Sequence, residues 1–325
     1  MSIPVAVALF AGSFALTVAS SIVLARELDR IGERLGFSEA LLGIVTALGA
    51  DAPEIASAVA AIVAGHKDTG VGVVVGSNVF NIAGLLGVSA LLAGPVRIHA
   101  HGLALTGGVA LLVAISGGLV AVGVLPAAVG FVLALLALAP YVTLSALHAR
   151  TRERLPALLR AAVAEEQQDA RRDEFARPAT GIDALAILPG LAAVVGGSYG
   201  MVASAQSLAD RWDVSDVVLG ALVLAALTSI PNLIAALRLA LHGRGAACVS
   251  ESFNSNNANI LVGLCVPAVI LGIGSVSGIE IFAALWMVGM TAVAVALGFG
   301  GGLTRREGAA IVALYVAFAV VLATS

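Results

Sequence analysis

Apolar residues in this chain come in runs of a length that few folds can bury. A helix that crosses a bilayer needs about 20 mostly apolar residues. Ten segments reach that length, at about 3–25, 38–64, 70–94, 103–122, 124–146, 184–206, 216–241, 254–275, 278–298 and 308–324. In hydrocarbon every backbone N–H and C=O has to be satisfied inside the segment, so such runs fold as helices. Only 11% of the residues are charged, against about 25% in a soluble domain. The expected fold is therefore all-α, a polytopic membrane protein with ten transmembrane helices. The first run continues from Ile3 to Ala25 with no basic segment before it, which predicts a span rather than a cleaved signal peptide. A net charge of −3 gives no reason to expect a nucleic-acid partner. Cys248 and Cys265 have no metal-ligand residues around them in sequence and read as buried thiols.

The one long polar stretch, 148–183, holds Arg150, Arg152, Arg154, Arg160, Arg171, Arg172 and Arg177 among Glu and Asp. It reads as a solvated linker between two halves, 1–147 and 184–325. With the N-terminus outside, all of the 17 Lys and Arg except Lys67 and Arg211 fall in inside loops. The positive-inside rule then predicts both termini outside and the linker in the cytoplasm, in a multi-pass plasma (inner) membrane protein.

The halves repeat each other. Shifted by 178 residues, Leu41–Gly65 lies over Leu219–Gly243, with Pro53 on Pro231 and Gly65 on Gly243. Without a gap, "GSNVFNI" (Gly76–Ile82) then lies over "NSNNANI" (Asn254–Ile260). Five spans per half is an odd number, so the second half enters the membrane from the opposite side, an inverted five-helix repeat. Inverted repeats interrupted at matching places point to an ion or substrate site near the bilayer midplane. Pro53 and Pro231 supply the interruptions and free backbone carbonyls at membrane depth.

Beside the first interruption, in "ALGADAPEIASA" (Ala47–Ala58), stand Asp51 and Glu54. Residues three apart share a helix face, so both carboxylates are expected to point the same way. A charge at the bilayer centre costs about 2.5–3.5 kcal/mol even on lenient scales. Two together make sense where a cation or protons sit between them, and such a pair titrates as a coupled unit. Arg238 is the one residue that could neutralise them, and it is expected at a helix end where it can reach water.

These residues resemble the two alpha repeats of the cation/Ca2+ exchanger superfamily. That family pairs a Gly-Thr-Ser-x-Pro-Glu (or Asp) box with a Gly-Asn-x-x-Gly-Ser-Asn-x-x-Asn box. Here the first repeat (boxes 47–54 and 72–81) reads "GADAPE" then "GVVVGSNVFN", and the second (225–232 and 250–259) reads "LTSIPN" then "SESFNSNNAN". The resemblance implies a secondary active cation antiporter that exchanges Ca2+ for Na+ or H+. It implies a site of Glu54, Ser77 and Asn81 from one half and Thr228, Ser229, Ser255 and Asn259 from the other. Backbone carbonyls of Ala47 and Ala225 would complete it. Hard oxygen donors suit such ions. They would be the transported substrates and the protein's partners with the lipid bilayer, and no cofactor is expected.

The chain also departs from the pattern. Ala50 replaces the box Thr, Asp51 the box Ser, Asn232 the second acid and Val73 an Asn. At the position matching Val73 the second repeat has Glu251, four residues before Ser255 and eight before Asn259. Asp51 and Glu251 are expected to restore the charge missing at Asn232, giving three carboxylates near the start of the eighth span. Other readings are a Na+ or K+/H+ antiporter and a non-transporting homologue. An intramembrane hydrolase built on Ser198 in "GGSYG" lacks a base, because all five histidines fall in loops or at helix ends. The sequence does not indicate an oligomeric state.

Overall fold

A computed structural model describes residues 1–34, 48–146, 181–274 and 276–325, together with the single positions 156 and 160. Among the described residues the fold is all helix. Its one β-bridge joins Val96 and Leu303. The helices are α1 (Ile3–Arg34), α2 (Ala52–Val63), α3 (Lys67–Ala93), α4 (Ala100–Ala121), α5 (Ala127–Ala146) and α6 (Gly181–Trp212). Then follow α7 (Asp216–Thr228), α8 (Ile230–Leu241), α9 (Gly245–Leu271), α10 (Gly278–Gly298) and α11 (Arg305–Thr324). Eight of them are long and apolar enough to cross a membrane. The pair α7 and α8, bent by 48° at Ser229, makes a ninth if taken as one span. Outward-facing Leu136, Leu188, Ile270 and Leu285 are exposed, as side chains that meet lipid should be. The chain is an integral membrane protein.

The expected span 38–64 is described only from Leu48 on, where α2 supplies its second part. The linker 148–183 lies almost wholly outside the described residues. One boundary differs clearly from expectation. The eighth span begins at Gly245 rather than 254, because "GAACVSES" is packed within the protein and does not need to be apolar. Gly245 sits so close to Arg97 that a β-carbon would strike the Arg97 backbone.

The 178-residue offset reappears in the coordinates bond for bond. After α2, the N–H groups of Gly65 and His66 bond the carbonyls of Ile62 (3.1 Å) and Ala61 (2.9 Å). After α8, Gly243 and Arg244 bond Ala240 (3.0 Å) and Leu239 (2.9 Å). Both turns close on a glycine of positive φ, Gly65 at 95° and Gly243 at 74°, the left-handed C-terminal cap that only glycine adopts without strain.

At the centre runs α3, buried along most of its length and packed by α2, α7, α9 and α10. Its contact with α7 is backbone on backbone. A β-carbon at Gly76 would strike Ala221, and one at Gly220 would strike Thr69. Three short π-helical stretches, Ile82–Val88, Leu219–Leu224 and Asn259–Cys265, lie within α3, α7 and α9. Such widened turns are frequent at functional sites.

Candidate functional site

The two helix breaks face each other in the middle of the bundle. At the first, Asp51 is the residue just before α2, and Pro53 lies in the opening turn with Glu54 beside it. Proline is well placed there, because the first N–H groups of a helix have no intrahelical partner. At the second, Ser229 separates α7 from α8, and Pro231 and Asn232 open α8. Asp51 gives no cap bond to its own helix. Its side chain reaches α8 and α9, and its carboxylate points to the same group as that of Glu54.

That group is the side-chain amide of Asn232. Its Nδ2 donates to Asp51 Oδ1 at 2.7 Å and to Glu54 Oε1 at 3.0 Å, and lies 3.2 Å from Ser255 Oγ. Asn232 is the residue matched to Glu54 by the offset, so the paired positions of the two halves touch. The Ser255 hydroxyl donates to Asp51 Oδ1. Glu54 Oε2 accepts from two matched asparagines, Asn81 at 3.5 Å and Asn259. Asp51, Glu54, Ser77, Asn81, Asn232, Ser255 and Asn259 are all buried to 1% exposure or less. Arg238 is exposed, and among the described residues no Lys or Arg pairs with either carboxylate.

The unpartnered atoms of this cluster are all oxygens. Asp51 Oδ2, Ser77 Oγ, Asn81 Oδ1, Asn232 Oδ1 and Asn259 Oδ1 are buried without a hydrogen-bond partner. A buried acceptor left in that condition costs about 1–3 kcal/mol, and five oxygens in one place are a donor set of the kind that suits a hard cation. No group of three or more His, Cys, Asp or Glu side chains suited to a metal ion occurs among the described residues. The donors are two carboxylates completed by amides and hydroxyls.

Of the other expected site residues, Ser229 also reaches the Glu54 carboxylate, and the rest are placed differently. The Thr228 hydroxyl donates to the carbonyls of Leu224 (2.8 Å) and Ala225 (3.2 Å), and that of Ser229 to Ala225 (2.8 Å). The Ala225 carbonyl also takes the Ser229 N–H at 3.1 Å, so it is engaged by its own helix end. Ala47 lies outside the described residues. Glu251 is in the second turn of α9, half-buried, and makes none of the cluster's hydrogen bonds. It lies within electrostatic reach of Asp51 but does not join Asp51 and Glu54 in a three-carboxylate group.

Two residues were not among the expected ligands. Asn78 Nδ2 donates to the Asn256 carbonyl at 3.4 Å, and Asn256 Nδ2 donates to the Asn78 carbonyl at 3.1 Å. Asn256 Oδ1 also receives Asn81 Nδ2 at 3.1 Å. This reciprocal pair braces α3 against α9 behind the site. The sequence carried a signal for it, since 78 and 256 match across the offset and both are Asn. Ser198 is buried within α6 and its Oγ has no hydrogen-bond partner. Cys248 and Cys265 are both free and buried.

A bundle of apolar helices whose breaks bring two carboxylates, three amides and several hydroxyls together at its buried centre defines a class, the polytopic membrane proteins with a polar ion-type site between interrupted helices. Within it the chain belongs to the sodium/calcium exchanger family. The family model described as "Sodium/calcium exchanger protein" matches residues 5–148 and 183–324. Among curated proteins it is similar to sodium/potassium/calcium exchanger 4 of Homo sapiens, 39% identical over 84 residues, which is 26% of this chain and 14% of that one. It is also similar to sodium/potassium/calcium exchanger 1 of Gallus gallus, 43% identical over 70 residues, 22% of this chain and 11% of the relative. The chain thus spans a small part of the length of these relatives. Among solved structures, the sodium-calcium exchanger NCX_Mj superposes with a TM-score of 0.62 at 22% identity, over 97% of this chain and 98% of that one. The H+/Ca2+ exchanger CAX gives a TM-score of 0.75 at 13% identity, covering 98% and 85%.

Proposed function

We propose that the chain is a secondary active cation antiporter that exchanges Ca2+ for Na+ or H+ by alternating access, and is not an enzyme. The observation that carries this reading is the set of buried, unpartnered oxygens around Asp51 and Glu54. It is supported by the family and by the likeness to solved Na+/Ca2+ and H+/Ca2+ exchangers. In this reading Asp51, Glu54, Ser77, Asn81, Asn232, Ser255 and Asn259 hold the ion. Thr228, Ser229 and the carbonyls of Ala47 and Ala225 form its border, and Glu251 stands one helical turn outside as a flanking charge.

The architecture belongs to the same proposal: ten spans as two inverted five-helix repeats, 1–147 and 184–325. The linker 148–183 would lie in the cytoplasm and both termini outside the plasma (inner) membrane. Matching turns and matched residues in contact support the repeat, and the distribution of arginines supports the orientation. The test is uptake of radiolabelled Ca2+ into proteoliposomes, driven in turn by a Na+ gradient, a pH gradient and neither, with Glu54→Gln as control. Uptake under one gradient that vanishes in the variant identifies the coupling ion. No Ca2+ uptake, with Na+- or K+-dependent proton flux instead, refutes Ca2+ as substrate.

A further inference from the structure

Asn81, Asn232 and Asn259 share one arrangement. Each presents its Nδ2 to a carboxylate of Asp51 or Glu54, and each leaves its Oδ1 buried without a partner, although Asn81 shares its Nδ2 with Asn256 Oδ1 at 3.1 Å. The direction is forced by chemistry, because an ionised carboxylate only accepts and an amide that touches it has to turn its NH2 inward. A cation makes the opposite demand. It takes oxygens only, so an inward NH2 would be repelled from it. A half-turn of an amide about its terminal side-chain bond exchanges N for O with almost no change of shape, and that torsion is broad.

We propose that Asn81, Asn232 and Asn259 form an amide switch, giving N–H to the two carboxylates in one state of the site and carbonyl oxygen to a bound cation in the other. Asn232 is its centre, since its single NH2 bridges both carboxylates and competes directly for the place between them. The three bonds from Asn232 and Asn259 to Asp51 and Glu54 cross between the halves of the chain, so a cation that turns the amides also exchanges the bonds that tie one half to the other. This inference rests on the proposed cation site.

The chain makes the test tractable. It has seven asparagines, at 78, 81, 232, 254, 256, 257 and 259. Full-length protein labelled with 15N-asparagine in lipid nanodiscs is titrated with Ca2+, Na+ and K+ in turn, by side-chain NMR and by calorimetry. Asn81→Ser, Asn232→Ser and Asn259→Ser each assign one resonance by its loss. The expected result is a heat of binding together with shifts of the Asn81, Asn232 and Asn259 NH2 pairs that saturate at one midpoint. Asn254, bonded to the Tyr141 hydroxyl and Ser250 (both 3.1 Å), should stay in place. A heat of binding with the three pairs unmoved overturns the switch and leaves the cation site standing. Neither heat nor shift with any of the three ions overturns both.

Discussion

Glu54→Gln separates the charge of the site from its shape. The glutamate carboxylate accepts from Asn232 on one oxygen and from Asn81 and Asn259 on the other. A glutamine keeps one oxygen, which goes to the two-donor side, and its NH2 then faces Asn232. Asn232 cannot turn to accept from it without taking its own NH2 away from Asp51 Oδ1, so the Asn232–Glu54 bond is the one that is lost. The cost is that bond and the loss of charge assistance in the others, about 1–3 kcal/mol of stability, and the protein should fold. Ion binding should suffer far more. Unit charges 4 Å apart at an effective dielectric constant near 20 interact by about 4 kcal/mol, and a divalent ion doubles this to about 8 kcal/mol. If half survives the exchange of water and N–H partners, about 4 kcal/mol is lost, or about a thousandfold in Kd at 1.4 kcal/mol per tenfold. Calorimetric titration of Ca2+ into wild type and variant in nanodiscs measures it, with thermal unfolding as the control for folding. A folded variant whose Kd stays within tenfold of wild type would refute the assignment of Glu54 to the ion.

The remaining expectations follow from the same geometry. Loss of Ca2+ affinity should rank Glu54→Gln and Asp51→Asn well above Glu251→Gln, because Glu251 is half-buried and outside the hydrogen-bonded cluster; calorimetry of the three variants checks the order. Gly76→Ala drives a methyl into the Ala221 backbone and should cost about 1–3 kcal/mol. Gly108→Ala, with nothing within 4 Å, should gain about 0.5–1 kcal/mol, and paired thermal melts compare the two. Ser198→Ala removes a buried hydroxyl that has no partner. Ca2+ uptake should be unchanged and stability equal or higher, whereas loss of an activity would revive the hydrolase reading.

How much of this was legible in the sequence depended on what each signal measures. Apolar length found the helices, because lipid penalises every unsatisfied backbone group whatever the neighbours are. It missed the start of α9, where the neighbours are protein and small polar residues are tolerated. The 178-residue offset identified Gly65 with Gly243 and both prolines, and the turns they make agree bond for bond. Helical periodicity placed Asp51 and Glu54 on one face, but Asp51 stands before the helix rather than in it. Asp51 keeps near-helical backbone angles there (φ −77°, ψ −10°), and its carboxylate converges with that of Glu54 on the Asn232 amide.

The offset held more than was taken from it. In the proposed inverted repeat, residues close to the axis that would relate the halves contact their own counterparts, as in an isologous interface. Asn78 with Asn256 and Glu54 with Asn232 are such pairs, each 178 apart. Of the polar identities in the second boxes, Asn78/Asn256 is the pair in direct contact, and Asn81 and Asn259 meet on Glu54 Oε2. The carboxylates break the correspondence: Asp51 is matched by Ser229 and Glu54 by Asn232, so one half brings both charges and the other brings most of their hydrogen-bond donors. That division has a physical logic. Two acids placed as counterparts at the axis would face each other across it and repel, whereas an acid facing an amide is bonded when the amide nitrogen points inward and can share a cation with it when the oxygen does.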